Sequence, residues 1–156
     1  MPTSHDRRNP VEALAEEFLN RKRRGETPTL REYLERHPEL AEEIRDLFPA
    51  LLMMEDLGAD SAGTTGSLAA QLLGKLTSAS KAAIRAEHKL ILQEALNGMD
   101  PIDREVLTLR HFEHLSNDET ALVLGLSKSA ASNRYIRALK RLKEILSSIP
   151  GLKEQL

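Results

Sequence analysis

Apolar residues recur three and four positions apart along most of this 156-residue chain, which is the spacing of one face of an α-helix. Leu40, Ile44 and Leu47 give one such stripe. The alternation of apolar and polar residues that is typical of strands is almost absent. The pattern predicts an all-α protein with a small N-terminal helical unit, a flexible linker and a C-terminal helix-turn-helix domain.

Residues 9–57 are predicted to form a small interaction module of three or four helices. The segment Asn9–Glu12 supplies an N-cap, a proline at the first helical position and a glutamate placed to close a capping box. The segment Thr29–Glu32 repeats the capping box, and Pro38 starts another helix. Phe48-Pro49 is expected to break that helix before a last, apolar one.

The aromatic and basic side chains of this module have simple structural interpretations. Phe18, Tyr33 and Phe48 fall on apolar stripes, so we expect them to pack in a core. The basic run Arg21–Arg24 comes at the predicted end of the first helix, just before Gly25. Cations in a last turn complement the helix dipole, and we expect this run to be solvated.

The middle of the chain is predicted to connect the two folded parts. Residues 58–67 read GADSAGTTGS, a composition rich in small and polar residues that is typical of a flexible linker. Residues 68–97 are predicted to be connecting helices, the second of which ends at Asn97-Gly98.

Residues 98–149 carry the helix-turn-helix pattern. Ser116 and Glu119 can form a capping box for a short helix, and Ser127 can cap a long one. Gly125 between them can take the positive φ of a tight turn. Ala121 is expected to be small because the second helix crosses there at close range.

The long helix is predicted to be the one that enters the major groove of DNA. Ala131, Tyr135, Ala138 and Leu142 form its inward stripe. The residues predicted to bind DNA are Lys128, Ser129, Ser132, Asn133, Arg134, Arg137, Lys140 and Arg141. We expect the early serines and the asparagine to meet base edges, Lys128 to meet base or phosphate, and the later cations to contact mostly phosphates.

The distribution of charge supports DNA binding by the long helix, and the composition excludes several other functions. The net charge is −2, yet residues 11–57 hold twelve acids and seven bases, whereas residues 128–143 hold six bases and no acid. Such a local basic surface matters more for nucleic-acid binding than the total charge. The absence of cysteine excludes disulfides and thiolate metal sites. His111, Glu113 and His114 give too few ligands for zinc, so we predict no metal site. The sequence contains no P-loop, no nucleophile elbow and no cluster of Asp and Glu at metal-binding spacing, so we also predict no cofactor and no enzymatic activity.

Residues 99–146 resemble region 4 of extracytoplasmic-function (ECF) sigma factors. The elements that carry the resemblance are Arg104-Glu105-Val106-Leu107, Leu109-Arg110, Leu124-Gly125-Leu126-Ser127 and Arg137-Ala138-Leu139-Lys140-Arg141-Leu142. Residues 68–99 look like the linker that precedes region 4 in some of these factors. The resemblance implies binding to the −35 element of double-stranded promoter DNA and to the β-subunit flap of the RNA polymerase core.

The first 57 residues do not resemble the promoter-melting region of a sigma factor, and the resemblance of residues 25–57 is to a different kind of protein. Residues 25–57 are similar to the short helical segment before the kinase domain of some bacterial Ser/Thr kinases, although no kinase motif follows. The leading hypothesis is a sigma-factor-like DNA-binding protein whose N-terminal module binds an anti-sigma factor or another protein. The alternatives are an interaction protein that binds the polymerase flap or an anti-sigma factor without reading DNA, and a stand-alone helix-turn-helix regulator. With no apolar leader or membrane-spanning stretch in the sequence, we expect a cytoplasmic protein.

Overall fold

A computed structural model describes the backbone of residues 8–62 and 79–149 and the side chains of residues 8–57 and 86–149. Within these ranges the chain is helical and contains no strand, so the all-α prediction is confirmed. The helices are α1 (Pro10–Arg23), α2 (Leu30–Arg36), a 3-10 turn (Pro38–Leu40), α3 (Ala41–Ala62), α4 (Ala79–Asn97), α5 (Pro101–His111), α6 (Asn117–Leu124) and α7 (Lys128–Ser147). None of the described helices is long and apolar enough to cross a membrane.

The N-caps expected from the sequence are formed, but only one capping box is complete. Ser116 accepts from the Glu119 backbone N–H while the Glu119 carboxylate accepts from the Ser116 N–H. At α1 the Asn9 side chain accepts from the Val11 N–H, but Glu12 turns away from the cap to bind other side chains. The box predicted at α2 is likewise half formed, because Glu32 binds Arg21 instead. In both cases an ion pair replaces the weaker local hydrogen bond.

The predicted helix break at Phe48-Pro49 is wrong, because α3 continues through Pro49. A proline inside a helix removes one backbone hydrogen bond and crowds the preceding turn. Phe48, Ala50 and Leu51 around it are all buried in the core, and tertiary packing of that kind outweighs the local preference. As a result α3 also includes residues 58–62, the first half of the predicted linker. The rest of that linker and the first of the predicted connecting helices fall within residues 63–78, which lie outside the described residues.

A single cluster of buried apolar residues joins the N-terminal and C-terminal helices. Both α1 and α3 pack against α7, and α3 also packs against α5. Phe18, Tyr33 and Phe48 are buried with ring centroids 5.2 to 6.0 Å apart, as expected. The predicted module and the predicted helix-turn-helix therefore share one core in the described part of the chain.

The shared core predicts that the two halves unfold in one transition. The chain has no Trp and two Tyr, so Tyr135→Phe leaves Tyr33 as the reporter of the N-terminal helices, and Tyr33→Phe leaves Tyr135 as the reporter of α7. In each variant we expect the urea-unfolding curve from tyrosine fluorescence to coincide with the curve from helical circular dichroism. Separate midpoints for the two reporters would mean that each half has an independent core.

Candidate nucleic-acid interface

The described structure forms a helix-turn-helix from α6 and α7. Gly125 ends α6 in the left-handed conformation, with φ of 68° and ψ of 32°, and its N–H reaches back to the carbonyls of Ala121 and Leu122. The Ser127 side chain then caps α7 by accepting from the Ala130 N–H. Ala121 is 4% exposed, and its small side chain allows α6 to lie close to α7. These local features fix the direction in which α7 leaves the turn.

One face of α7 is exposed and basic. Asn133, Arg137, Lys140 and Arg141 are exposed and follow one another at helical spacing. Among the described residues, Arg137 and Lys140 have no acidic partner. A helix face of this kind can lie against the phosphates and base edges of a DNA groove.

The remaining predicted DNA-binding residues have mixed environments. Lys128 is exposed and forms an ion pair with Asp118 at 3.4 Å. Ser129 and Arg134 are half-buried. The structure therefore brings most of the predicted set to one side of α7, with the cations toward its middle.

Ser132 lies on the opposite, covered side of α7. It is 0% exposed; its hydroxyl donates to Glu12 Oε1 at 2.9 Å and accepts from the Asn9 backbone N–H at 2.8 Å. Its position differs from the outward one expected from the sequence because α7 is buried over a wider arc than a single stripe. Ile136 and Leu139, which are also buried, continue the face that begins at Ser132. Their apolar side chains are the sequence feature that could have indicated that this side of α7 is buried.

A buried ion pair that the sequence did not predict lies beneath this interface. Arg110 is 1% exposed and donates to Glu12 Oε2 at 2.9 Å. Its guanidinium also lies over the Tyr135 ring, 4.5 Å from the centroid. Burial alone would raise the pKa of Glu12, but the hydrogen bond from Arg8 and the charge of Arg110 lower it below its ordinary value.

A second polar network, around His111, also crosses between the two halves. His111 is fully buried, with Nδ1 3.0 Å from Glu55 Oε2 and Nε2 2.7 Å from the Tyr135 hydroxyl. Arg23 binds both oxygens of Glu55 and donates to the Arg110 carbonyl at 2.8 Å. The expectation that the whole run Arg21–Arg24 is solvated is therefore wrong for Arg23.

The pKa values in this network have clear causes. Burial lowers the pKa of His111 and outweighs the hydrogen bond to Glu55, which acts in the opposite direction. Burial would raise the pKa of Glu55, but hydrogen bonds from His111 and Arg23 lower it to about 2. These values fit a neutral imidazole that donates to an ionised carboxylate and accepts from the tyrosine. No group of three His, Cys, Asp or Glu residues in the described ranges could hold a metal ion.

The C-terminal helices match a known family. Residues 89–142 fit the family model described as sigma-70, region 4. This segment is a sigma-70 region 4 domain. The resemblance to region 4 of ECF sigma factors is thereby confirmed, and α7 is the second helix of its helix-turn-helix.

Several curated sigma factors are also similar to part of this chain. The RNA polymerase sigma-E factor of Streptomyces avermitilis is 40% identical over 60 residues, which are 38% of this chain and 34% of that protein. The sigma-E factor of Streptomyces coelicolor is 40% identical over 58 residues, 37% of this chain and 33% of that protein. The RNA polymerase sigma-B factor of Bacillus subtilis is 27% identical over 105 residues, 67% of this chain and 38% of that protein. The chain thus spans little more than a third of the length of these relatives, and no solved structure matches it.

The buried imidazole makes stability depend on pH. Because the pKa of His111 is lower in the folded chain than its ordinary value of 6.5, protons bind preferentially to the unfolded chain once the pH falls below that value. We expect the free energy of unfolding to decrease from pH 6.5 downward, by at most about 1.4 kcal/mol per pH unit for this single group. Glu55 adds a further loss only below its ordinary pKa of 4.5.

Urea unfolding at pH 7.0, 6.0 and 5.0 measures this dependence. His111→Gln should be less stable at neutral pH but should lose less stability on acidification. His114→Asn, at an exposed position with a positive φ that asparagine tolerates, is the matched control and should keep the wild-type slope. An unchanged slope in His111→Gln would assign the pH dependence to other groups.

Proposed function

We propose that this chain is a sigma-factor-like DNA-binding protein in transcription initiation. Its region 4 domain would recognise a −35-type promoter element through α7 and contact the flap of the RNA polymerase β subunit. The observation that carries the proposal is the exposed basic face of α7. This helix directly follows the turn at Gly125, is capped by Ser127, and begins within the residues that match region 4.

The proposed roles of the residues follow from their positions on α7. Asn133 is exposed near the start of the helix, where its amide can pair with an adenine edge in the major groove. Ser129 lies one turn earlier and can reach a neighbouring base. Lys128 lies at the entrance of the groove, and Arg134, Arg137, Lys140 and Arg141 would contact phosphates that set register and affinity.

We further propose that residues 8–57 do not melt promoter DNA. Capture of unpaired bases uses exposed aromatic rings on which the bases stack, beside basic surface. The aromatic residues of this segment, Phe18, Tyr33 and Phe48, are all buried against one another. Acidic residues also outnumber basic ones in this part of the chain. These features support a protein-binding role for the module.

The phosphate contacts predict the salt dependence of DNA binding. On a mixed-sequence duplex, Arg137→Ala and Lys140→Ala should each weaken binding and reduce the slope of log K against log salt by about one unit. Fluorescence anisotropy across a salt series gives both values. Arg31→Ala removes an exposed arginine from α2 and is the control that should leave the slope unchanged. Binding that is absent, or that is unaffected by Arg137→Ala and Lys140→Ala, would contradict DNA recognition by α7 and favour an interaction protein.

Transcription assays test the polymerase part of the proposal. With core polymerase and a promoter chosen by selection from a randomised duplex pool, we expect the 156-residue chain to form a polymerase-dependent complex on DNA. We expect no run-off transcript unless a factor that melts the promoter is added. Efficient transcription by polymerase and this chain alone would show that the chain can open promoter DNA without another factor.

A further inference from the structure

The start of α1 lies against the DNA-reading end of α7. The Asn9 backbone N–H and the Glu12 carboxylate hold the Ser132 hydroxyl at 2.8 and 2.9 Å. The Asn9 side-chain Nδ2 donates to Asn133 Oδ1 at 3.2 Å. Two of the polar side chains that the sequence assigns to base recognition are therefore already bound within the chain.

The next turn of α1 places an acid at the start of α6. Glu16 Oε1 accepts from the Asn117 backbone N–H at 2.9 Å, and Asn117 is the first residue of α6. Backbone N–H groups at a helix N-terminus are among the groups that proteins use to bind DNA phosphates. The Glu16 carboxylate therefore occupies a position that could otherwise receive a phosphate oxygen.

Charge complementarity extends the contact along α7. Asp46 of α3 forms an ion pair with Lys143 near the other end of the helix. Glu12 and Glu16 lie beside the early turns, close to Arg110. Acidic side chains of the module thus contact α7 at two places, Ser132 near its start and Lys143 near its end.

We propose that the N-terminal module lowers the DNA affinity of region 4 by holding its polar edge, Asn9, Glu12 and Glu16, against the reading end of α7 and the start of α6. This inference rests on the proposed function. DNA and this edge compete for the Asn133 side chain and the Asn117 N–H, so full engagement of the major groove requires the start of α1 to move away. A protein that binds the module and draws α1 aside would increase promoter binding.

A matched pair of substitutions on α1 tests the competition. Glu16→Ala removes the carboxylate at α6, whereas Glu17→Ala removes an equal charge from the next position, where the side chain binds Tyr33 and Arg36 instead. Relative to Glu17→Ala, we expect Glu16→Ala in the full chain to bind a mixed-sequence duplex at least about fivefold more tightly, the lower end of typical couplings between sites. Adding Arg137→Ala should weaken binding of both variants.

The outcomes separate this inference from the function on which it rests. Equal affinities of the two variants, with binding still sensitive to Arg137→Ala, would overturn the competition and leave DNA recognition intact. A failure of every variant and of the wild type to bind duplex would overturn both.

Amide hydrogen exchange on the wild-type chain gives a second measurement that is independent of any effect of substitution on folding. We expect exchange of residues 9–16 to become faster when duplex is added. Unchanged exchange would contradict displacement of α1, and slower exchange would show instead that the edge of α1 takes part in DNA binding.

Discussion

The buried ion pair between Glu12 and Arg110 determines how the two halves of the described structure are joined. Both oxygens of Glu12 are used, since Oε1 accepts from Arg8 and Ser132 and Oε2 accepts from Arg8 and Arg110. A buried charge that loses its partner typically costs about 3–5 kcal/mol. Because Arg110 of α5 and Ser132 of α7 both bind this one carboxylate of α1, a shift of α1 along α7 would leave Arg110 or Glu12 without its partner. The ion pair therefore sets the register in which the apolar core packs.

Local features of the fold could be predicted from the sequence, and features that depend on distant partners could not. The N-caps at Asn9, Ser116 and Ser127 and the left-handed turn at Gly125 depend on residues within a few positions, so their patterns were sufficient. The prediction of a helix break at Pro49 is wrong because burial of the α3 side chains on both sides of it outweighs its local effect. Nothing near Arg110 in the sequence indicates Glu12, which lies 98 positions away.

In the candidate site, too, the features that depend on nearby residues could be predicted, and those that depend on distant residues could not. The exposed basic face of α7 could be predicted from helical spacing and charge alone. Helical spacing also predicts Ser132 on that face, because Ser132 lies in the first turns of α7 and outside the predicted inward stripe. Its burial depends on α1, and only the adjacent apolar positions Ile136 and Leu139 indicated that a second element covers this side.

The distribution of ion pairs also changes what the basic helix can contribute to DNA binding. Of the six bases in residues 128–143, Lys128, Arg141 and Lys143 have acidic partners in the described structure. Exposed pairs such as those of Lys128 and Arg141 are worth at most about 1 kcal/mol, so a phosphate can replace Asp118 or Glu144 without moving any helix. Lys143 differs because its partner, Asp46, belongs to α3. A phosphate that binds Lys143 would replace an exposed contact between α3 and α7, worth at most about 1 kcal/mol, so DNA binding at this lysine would also weaken the link between the module and α7.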